Sequence, residues 1–406
     1  MRFRRAQWRV LLAASFCYLF YYTGRQNLGW AIAGMRADLG LSNTEIGWIS
    51  GIGLVVYGAG QLLSGHLGDR WGGRRMVALG ALLSCLFNWL TSFGRSFGTL
   101  ALFWGLNGYA QSMGFAPGSR LIANWWGPRE RGRAFGIFTF AAGFSSVLTF
   151  ACAILVLGHL PWVWVFRLPV LLMPVGGLVF FWLARDRPAD LGFAAVPEAG
   201  PTGVPAPEPR PSIRESGRAV LGNRRFLFAC LGFGNWARLG LLAWVPVHFL
   251  GAGWREEPVG VWVTLALPVG MALGALAAGY AGDRVFRGDH ARLIGRFLVL
   301  GSAVALVLFA LPRDQRGWGL ALLFLAGFFV FGPFASFTAL SAELLDRGLL
   351  ATGLGFMNAV GYGVAAAGDV IVGVVMDATG RTGSIFLVAA AVCLLGAGCA
   401  HLARRR

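Results

Sequence analysis

The sequence predicts an all-α membrane protein with twelve transmembrane helices in two pseudo-symmetric six-helix bundles. Three observations lead to this prediction: 56% of the 406 residues are apolar and only 13% are charged, the apolar residues fall into twelve runs, and landmarks of the first half recur in the second. A spanning helix needs about 20 apolar residues, so a chain of this length has room for about twelve spans. The composition excludes a soluble globular enzyme and a disordered chain.

A proline-rich segment divides the apolar runs into two groups of six. The runs cover residues 8–34, 45–67, 76–93, 98–124, 134–158 and 162–184, and then 221–250, 259–281, 293–311, 317–342, 350–376 and 384–402. Segment 186–217 holds seven of the seventeen prolines and cannot bury a core, so we expect an extended cytoplasmic tether. The predicted domains are an N-terminal bundle at 1–185, the linker at 186–217 and a C-terminal bundle at 218–406.

The charge distribution predicts the orientation of the chain. All 35 basic residues are arginine, against 18 acids. With the N-terminus in the cytoplasm, 24 arginines fall on the cytoplasmic side and six on the other, as the positive-inside rule requires. We therefore expect a multi-pass protein of the cell's inner membrane with both termini cytoplasmic, and anionic lipid rather than nucleic acid around its basic loops. A secretory signal is disfavoured because the first run is too long and is interrupted by Arg25.

Landmark residues recur at a nearly constant spacing. The stretch Gly65–Arg70 recurs as Gly279–Arg284, 214 residues later, and Arg25 recurs as Arg238 after 213 residues. Two further pairs, Pro117 with Pro333 and the Arg-Gly dipeptides at 131 and 347, are 216 residues apart. The pattern indicates a duplicated six-helix unit, as in transporters that hold their substrate between two halves near the bilayer midplane.

Arg25 and Arg238 lie inside the first and seventh apolar runs. An arginine at the bilayer centre costs about 2.5–3.5 kcal/mol even on a lenient insertion scale. Asp369 is the only acidic residue of the sequence that clearly lies inside a predicted span. One carboxylate cannot neutralise two guanidinium groups. Because a guanidinium offers a planar fork of donors that suits phosphate or carboxylate oxygens, we predict that both arginines grip one small anion. The alternative is that each binds backbone carbonyls at a helix break or snorkels to the interface.

The motif Gly-x-Leu-Gly-Asp-Arg-x-Gly-Gly-Arg-Arg at 65–75 resembles the signature between helices two and three of the major facilitator superfamily. More narrowly, the chain resembles the organophosphate:phosphate antiporters, the family of the glycerol-3-phosphate and hexose-6-phosphate carriers. The stretches that carry this resemblance are Tyr21–Asn27, Leu106–Gln111, Met113–Arg120, Trp125–Trp126, Glu130–Gly132, Arg238 with Trp244 and Pro246, and Asp283–Gly288. The resemblance implies the major facilitator fold and a carrier that is not an enzyme, needs no cofactor and works as a monomer.

The resemblance also implies roles for individual residues. The family residues at the positions of Arg25 and Arg238 bind the substrate phosphate. Tyr57 and Tyr362 match tyrosines that line the family's cavity. Gln61 stands where the glycerol-phosphate carrier has a lysine.

Further departures from the family fall in later spans, at Thr139, Ala142, Pro268 and Phe331. We therefore expect the anion site to persist while the organic part of the substrate, or its charge, differs.

Two more tyrosines precede Arg25 on its own helix. Tyr22 and Tyr18 lie three and seven residues before it and therefore share its helix face. A tyrosine hydroxyl can donate to phosphate or sugar oxygens while the ring supplies apolar wall. The alternative for each of these tyrosines is ordinary helix packing.

The repeated loop motifs predict gating contacts on the cytoplasmic side. There an aspartate can cap a helix start and pair with an arginine of a neighbouring helix, which would hold the outward-facing state and release in the inward-facing one. The gating residues predicted in this way are Asp69, Arg70, Arg120, Arg131, Asp283 and Arg284, with Glu130 in the same network and Glu343 as its counterpart. The alternative is that these loops only obey the orientation rule.

The expected function is alternating-access transport of an organic phosphate or similar small anion, most simply in exchange for inorganic phosphate. Closing an empty cavity would bury two like charges together, whereas a bound anion removes that penalty, so exchange is favoured. Asp369 leaves proton-coupled anion symport open as an alternative. A membrane sensor that binds a phosphorylated metabolite without transport is another. A proton-driven exporter of cationic drugs would need an acid in span one or four and lacks one.

Overall fold

A computed structural model describes residues 2–194, 196, 213–234, 236–250, 262–312, 315–345 and 349–404. The regular elements of this part of the chain are all helical. The helices of the first half are α1 Arg2–Tyr21, α2 Leu28–Leu39, α3 Asn43–Trp71, α4 Gly73–Phe93, α5 Phe97–Trp125, α6 Pro128–His159 and α7 Leu172–Leu183. Those of the second half are α8 Ile213–Gly222, α9 Arg224–Phe233, α10 Ala237–Phe249, α11 Ala266–Arg284, α12 His290–Ala310, α13 Arg316–Phe331, α14 Phe334–Leu344, α15 Leu350–Thr379 and α16 Ser384–Ala403.

The chain forms two compact units, whose boundaries lie in the predicted linker and also within the first half of the chain. The first unit comprises Met1–Met35 and Ile52–Ala206, and the second comprises Arg36–Gly51 and Pro207–Arg406. Helix α3 therefore contributes its first residues to the second unit and the remainder to the first.

The first unit packs α1 against α6 and α7, and α4 against α5 and α7. Large aromatic side chains fill its core, among them Tyr21, Trp125 and Phe138. Helices α3 and α5 approach closely at Gly108, where an added Cβ would lie 2.4 Å from the carbonyl oxygen of Gly53. Small residues at such crossings bring the backbones together, as is common in membrane helices.

The second unit packs α12 against α16, and α11 against α13. The α11–α13 crossing also depends on glycine, because a Cβ at Gly327 would lie 2.1 Å from the Leu267 carbonyl oxygen. A Cβ at Gly270 would meet the Phe324 carbonyl oxygen at 2.0 Å. The two backbones are therefore in contact along this crossing.

Nine helical segments of the described residues are long and apolar enough to cross a membrane. Among the described residues, each of the twelve predicted apolar runs is mainly helical, and the all-α membrane architecture is confirmed. The count of twelve spans stays a prediction. The segments outside the nine are the α1–α2 pair, α3 and α5, and α5 carries the polar residues Asn107 and Gln111 in its middle.

The start of the predicted linker is packed onto the first unit rather than extended. The Asp186 carboxylate accepts a hydrogen bond from the Arg74 backbone N–H at 2.8 Å, at the first turn of α4. The Phe193 ring packs on Phe3 with 5.4 Å between centroids. Residues 197–212, which hold most of the linker prolines, lie outside the described residues.

Candidate functional site

Arg25 lies where the first predicted span is interrupted. Helix α1 ends at Tyr21, a short 3-10 turn covers Tyr22–Gly24, and α2 begins at Leu28. The Arg25 backbone has φ −121° and ψ −37°, and its N–H donates to the Tyr22 carbonyl at 3.0 Å. The side chain therefore leaves the chain at a break rather than from a regular helix.

Two aromatic rings lie against the Arg25 guanidinium. Its central carbon lies 3.9 Å from the centroid of the Tyr57 ring and 5.6 Å from that of Tyr22. Gln61 Nε2 donates to the Tyr57 hydroxyl at 2.7 Å, one turn further along α3. The first unit thus gathers four of the predicted site residues, Arg25, Tyr22, Tyr57 and Gln61, into one cluster.

Tyr18 takes part in the aromatic core behind this cluster. Its ring stacks on Tyr21 with 5.3 Å between centroids and lies 4.7 Å from the Phe138 ring. Only 3% of Tyr18 is exposed. Its ring also meets that of Tyr22 edge to face at 5.9 Å, so Tyr18 supports the Arg25 cluster from behind.

A buried cluster of amide side chains holds the broken segment, a role that was not predicted from the sequence. Asn107 Nδ2 donates to the Gly24 carbonyl at 2.8 Å, and Gln111 Nε2 donates to the Tyr21 carbonyl at 2.9 Å. Asn88 Oδ1 accepts at 2.8 Å from Nδ2 of Asn27, two residues after Arg25 in the sequence. The signal available in the sequence was the presence of asparagine and glutamine inside otherwise apolar runs.

Arg238 occupies a comparable place in the second unit. Helix α9 ends at Phe233 and α10 begins at Ala237, so Arg238 follows an interruption of the seventh run as Arg25 does of the first. Its guanidinium carbon lies 4.5 Å from the Phe233 ring and 5.0 Å from the Phe334 ring. The residue is 8% exposed.

Asp369, the predicted coupling residue, is 1% exposed on α15. Its Oδ1 accepts hydrogen bonds from the indole N–H of Trp236 at 2.7 Å and of Trp244 at 3.0 Å. Its Oδ2 accepts from the Ser50 hydroxyl at 2.5 Å. All three partners are donors, so the carboxylate needs no proton of its own to complete these bonds.

Tyr362 lies on the same helix as Asp369, seven residues earlier, and is 9% exposed. The Trp236 indole lies between α10 and α15, since a Cβ at Gly240 or at Gly368 would collide with it. These glycines leave room for the indole that binds Asp369.

The predicted gating residues are placed on the surface or at helix ends. Arg70, Arg120 and Arg284 are exposed, and the Arg284 guanidinium lies 5.4 Å from the Tyr280 ring. Arg131 donates to the carbonyls of Trp126 and Ala123, both at 3.1 Å, and so binds the C-terminal end of α5. The side chains of Asp69 and Asp283 lie outside the described residues.

Two ion pairs involve the acids predicted to accompany the gating residues. Glu130 forms a bidentate pair with Arg4, at 2.6 and 2.5 Å. Glu343 Oε1 lies 3.7 Å from His290 Nε2. Within the described ranges, no three histidine, cysteine, aspartate or glutamate side chains are grouped as a metal site would require.

Curated relatives resemble this chain along nearly its whole length. The "Probable hexose phosphate transport protein" of Chlamydia pneumoniae is 25% identical over 410 residues, covering 95% of this chain and 89% of the relative. The "Membrane sensor protein UhpC" of Escherichia coli is 25% identical, covering 90% and 85%. The "Glycerol-3-phosphate transporter" of Bacillus subtilis is 24% identical, covering 97% and 91%. These names confirm the narrower resemblance to organophosphate carriers.

Solved structures share the fold. A bacterial homologue of the human lysosomal transporter Spinster superposes with a TM-score of 0.77 at 14% identity, covering 98% of this chain and 96% of that one. The D-xylose–proton symporter superposes with a TM-score of 0.73, also at 14% identity, covering 96% of each chain. The profile of the Major Facilitator Superfamily matches residues 14–369. The chain is therefore a multi-pass membrane protein that belongs to the Major Facilitator Superfamily.

Proposed function

We propose that this carrier moves a small phosphorylated anion across the membrane by alternating access, in exchange for inorganic phosphate, and that Arg25 and Arg238 bind the phosphoryl group. The observation that carries the proposal is the shared setting of the two arginines. Each follows a break in the first helical run of its half and lies against two aromatic rings. Guanidinium groups suit phosphate oxygens because they donate two parallel hydrogen bonds.

The exchange step follows from the charges. A permanent cation in each half makes the empty site costly to close within the bilayer, and a bound anion offsets that cost. Gln61 stands where the glycerol-phosphate carrier has a lysine. This difference supports a substrate whose organic part or charge is not the same as in that carrier. Tyr57, Tyr22 and Tyr362 are proposed to supply wall and hydroxyl donors around it.

Trans-stimulated uptake into proteoliposomes tests the proposal. Labelled inorganic phosphate should enter vesicles loaded with phosphate much faster than unloaded vesicles. Arg25→Lys and Arg238→Lys keep the charge but lose the planar fork, and each should abolish most of the exchange. Arg167→Lys is the matched control, because Arg167 Nε binds the Ser92 hydroxyl at 2.8 Å and its guanidinium lies over the Phe93 ring, in a setting with no proposed ligand. Equal uptake with and without internal phosphate would contradict exchange.

The UhpC relatives favour one second candidate, a sensor that binds a phosphorylated ligand without moving it. Binding of inorganic phosphate or glycerol 3-phosphate to purified protein, together with no flux in vesicles, would establish the sensor. Proton-coupled symport requires Asp369 to exchange a proton. If the protein is a symporter, phosphate uptake alkalinises the medium and Asp369→Asn abolishes this alkalinisation. If it is an exchanger, phosphate uptake by the wild-type protein does not alkalinise the medium.

The proposed location is the cell's inner membrane, with both termini cytoplasmic and the carrier acting as a monomer. The arginine distribution supports this orientation. A fluorescent protein that matures only in the cytoplasm, fused after Arg406, tests it: a dark fusion at normal expression would contradict a cytoplasmic C-terminus.

A further inference from the structure

The break before Arg25 replaces regular α-helical backbone hydrogen bonds with those of a 3-10 turn over Tyr22–Gly24. In a continuous helix the Tyr21 carbonyl would accept from the Arg25 N–H, but that N–H turns to Tyr22 instead. Buried carbonyls must find other partners. In transporters with broken helices, unwound carbonyls commonly coordinate cations. A break beside an anion-binding arginine therefore places carbonyl oxygens, which favour cations, next to a group that favours anions.

Side-chain donors bind the carbonyls at this break. The Thr23 hydroxyl donates to the Phe20 carbonyl at 2.7 Å. Gln111 Nε2 takes the Tyr21 carbonyl, and Asn107 Nδ2 takes the Gly24 carbonyl. Asn88 Nδ2 also donates to the Gly24 carbonyl oxygen, at 3.1 Å. The Phe20, Tyr21 and Gly24 carbonyls thus each accept a hydrogen bond from a side chain of the protein.

The donors are fixed by bonds among themselves. Ser84 Oγ donates to Asn107 Oδ1 at 2.6 Å, which leaves the Asn107 amide nitrogen to face Gly24. Gln111 Nε2 lies 2.8 Å from Ser84 Oγ. Asn107 is 1% exposed and Gln111 is 3% exposed, whereas Ser84 is fully buried. An amide whose acceptor end is occupied in this way can offer only its donor end to the break.

We propose that Asn107 and Gln111 are positioning residues that fix Arg25 for anion binding and prevent the broken helix from presenting carbonyl oxygens to a cation. The inference rests on the proposed function, because it assigns the cluster to the phosphate site of Arg25. Both residues act through the backbone of Tyr21 and Gly24 rather than by touching the substrate. Their contribution should therefore show in substrate affinity and in charge preference.

Phosphate exchange kinetics in proteoliposomes test the proposal with Asn107→Leu and Gln111→Met, which keep approximate size and remove the donor. We expect the KM for inorganic phosphate to rise about ten- to a hundredfold, as for a misplaced binding group. The maximal rate per folded protein should stay within about twofold of wild type. A merely structural defect would lower the maximal rate and leave KM unchanged. Asn124→Leu is the matched control: Asn124, also on α5, donates to the Asp186 carbonyl at 3.0 Å.

Each outcome decides a different question. If wild-type protein exchanges phosphate and both variants keep its KM, the positioning role is wrong and the proposed function stands. If wild-type protein neither binds nor exchanges phosphate, the proposed function fails and this inference fails with it. Should either variant not fold, Gln111→Leu replaces it. A leucine side chain has no hydrogen-bond donor and no charge, so a wild-type KM there overturns the proposal.

Discussion

Tyr57 lies directly beneath Arg25, with 3.9 Å between the guanidinium carbon and the ring centroid. Tyr57 is 3% exposed, and a cation over a buried ring gains about 0.5–2 kcal/mol. Gln61 in turn holds the Tyr57 hydroxyl. The arginine proposed to bind phosphate is therefore oriented by a tyrosine and a glutamine of α3.

Removing the Tyr57 ring should weaken anion binding. Tyr57→Leu is expected to raise the dissociation constant for inorganic phosphate about three- to thirtyfold, because Arg25 loses its aromatic support. Tyr57→Phe keeps the ring and should have the smaller effect. Titration calorimetry measures both. Tyr280→Leu is the control, since Tyr280 lies beneath the exposed Arg284; an equal loss of affinity there would contradict a specific role for Tyr57.

Adding a charge at Gln61 should change the preferred charge of the ligand. Gln61→Lys brings a second cation close to Arg25, so the ratio of affinities for dianionic phosphate over monoanionic dimethyl phosphate is expected to rise about tenfold at pH 8. Gln61→Met removes the amide without adding charge and should leave the ratio unchanged. A ratio that moves equally in both variants would show that position 61 does not sense ligand charge.

A methyl group at Gly24 should disturb the broken segment. A Cβ there would lie 2.6 Å from Met173 Sδ and 2.9 Å from Asn88 Nδ2, so Gly24→Ala must displace the amide cluster. Overpacking of this kind costs about 1–3 kcal/mol. We expect a lower thermal unfolding midpoint in detergent and weaker phosphate binding. Gly136→Ala, where a Cβ meets nothing within 4 Å, should alter neither; wild-type behaviour of both variants would refute the packing argument.

Asp377 binds the start of α3 within the second unit. Its carboxylate accepts from the backbone N–H of Asn43 and Thr44 at 3.0 and 2.8 Å, and from both side chains at 2.7 Å. Losing a helix N-cap costs about 0.5–2 kcal/mol. Asp377→Ala should therefore lower the thermal unfolding midpoint, and Asp377→Asn, which retains one acceptor, should lower it less. Unchanged midpoints in both variants would mean that these bonds add nothing to stability.

The fold was predictable because apolar runs and repeated landmarks are local features of the sequence. The same is true of Arg25 and Arg238 as a pair, since charges inside apolar runs stand out. The break before Arg25 was not predictable in the same way. Tyr22–Gly24 contains no proline, and the break is held by Asn107 and Gln111 from another helix, so only tertiary contacts reveal it.

The partners of the predicted gating residues could not be predicted from the sequence either. The sequence predicted one network that includes Arg120, Glu130 and Arg131. In the structure Glu130 pairs with Arg4, 126 residues away, and Arg131 binds carbonyls of α5. Exposed arginines have many partners within reach, and which one is chosen depends on helix packing. A role for Asp69 and Asp283 stays a prediction.

Equilibrium binding of inorganic phosphate to purified carrier tests the central claim most directly. Titration calorimetry of wild-type protein, Arg25→Lys and Arg238→Lys, with Arg167→Lys as control, should give one phosphate per chain for wild type and control. Binding should weaken at least about tenfold in each of the other two variants. Wild-type affinity in either Arg25→Lys or Arg238→Lys would contradict the claim that these two arginines hold the anion.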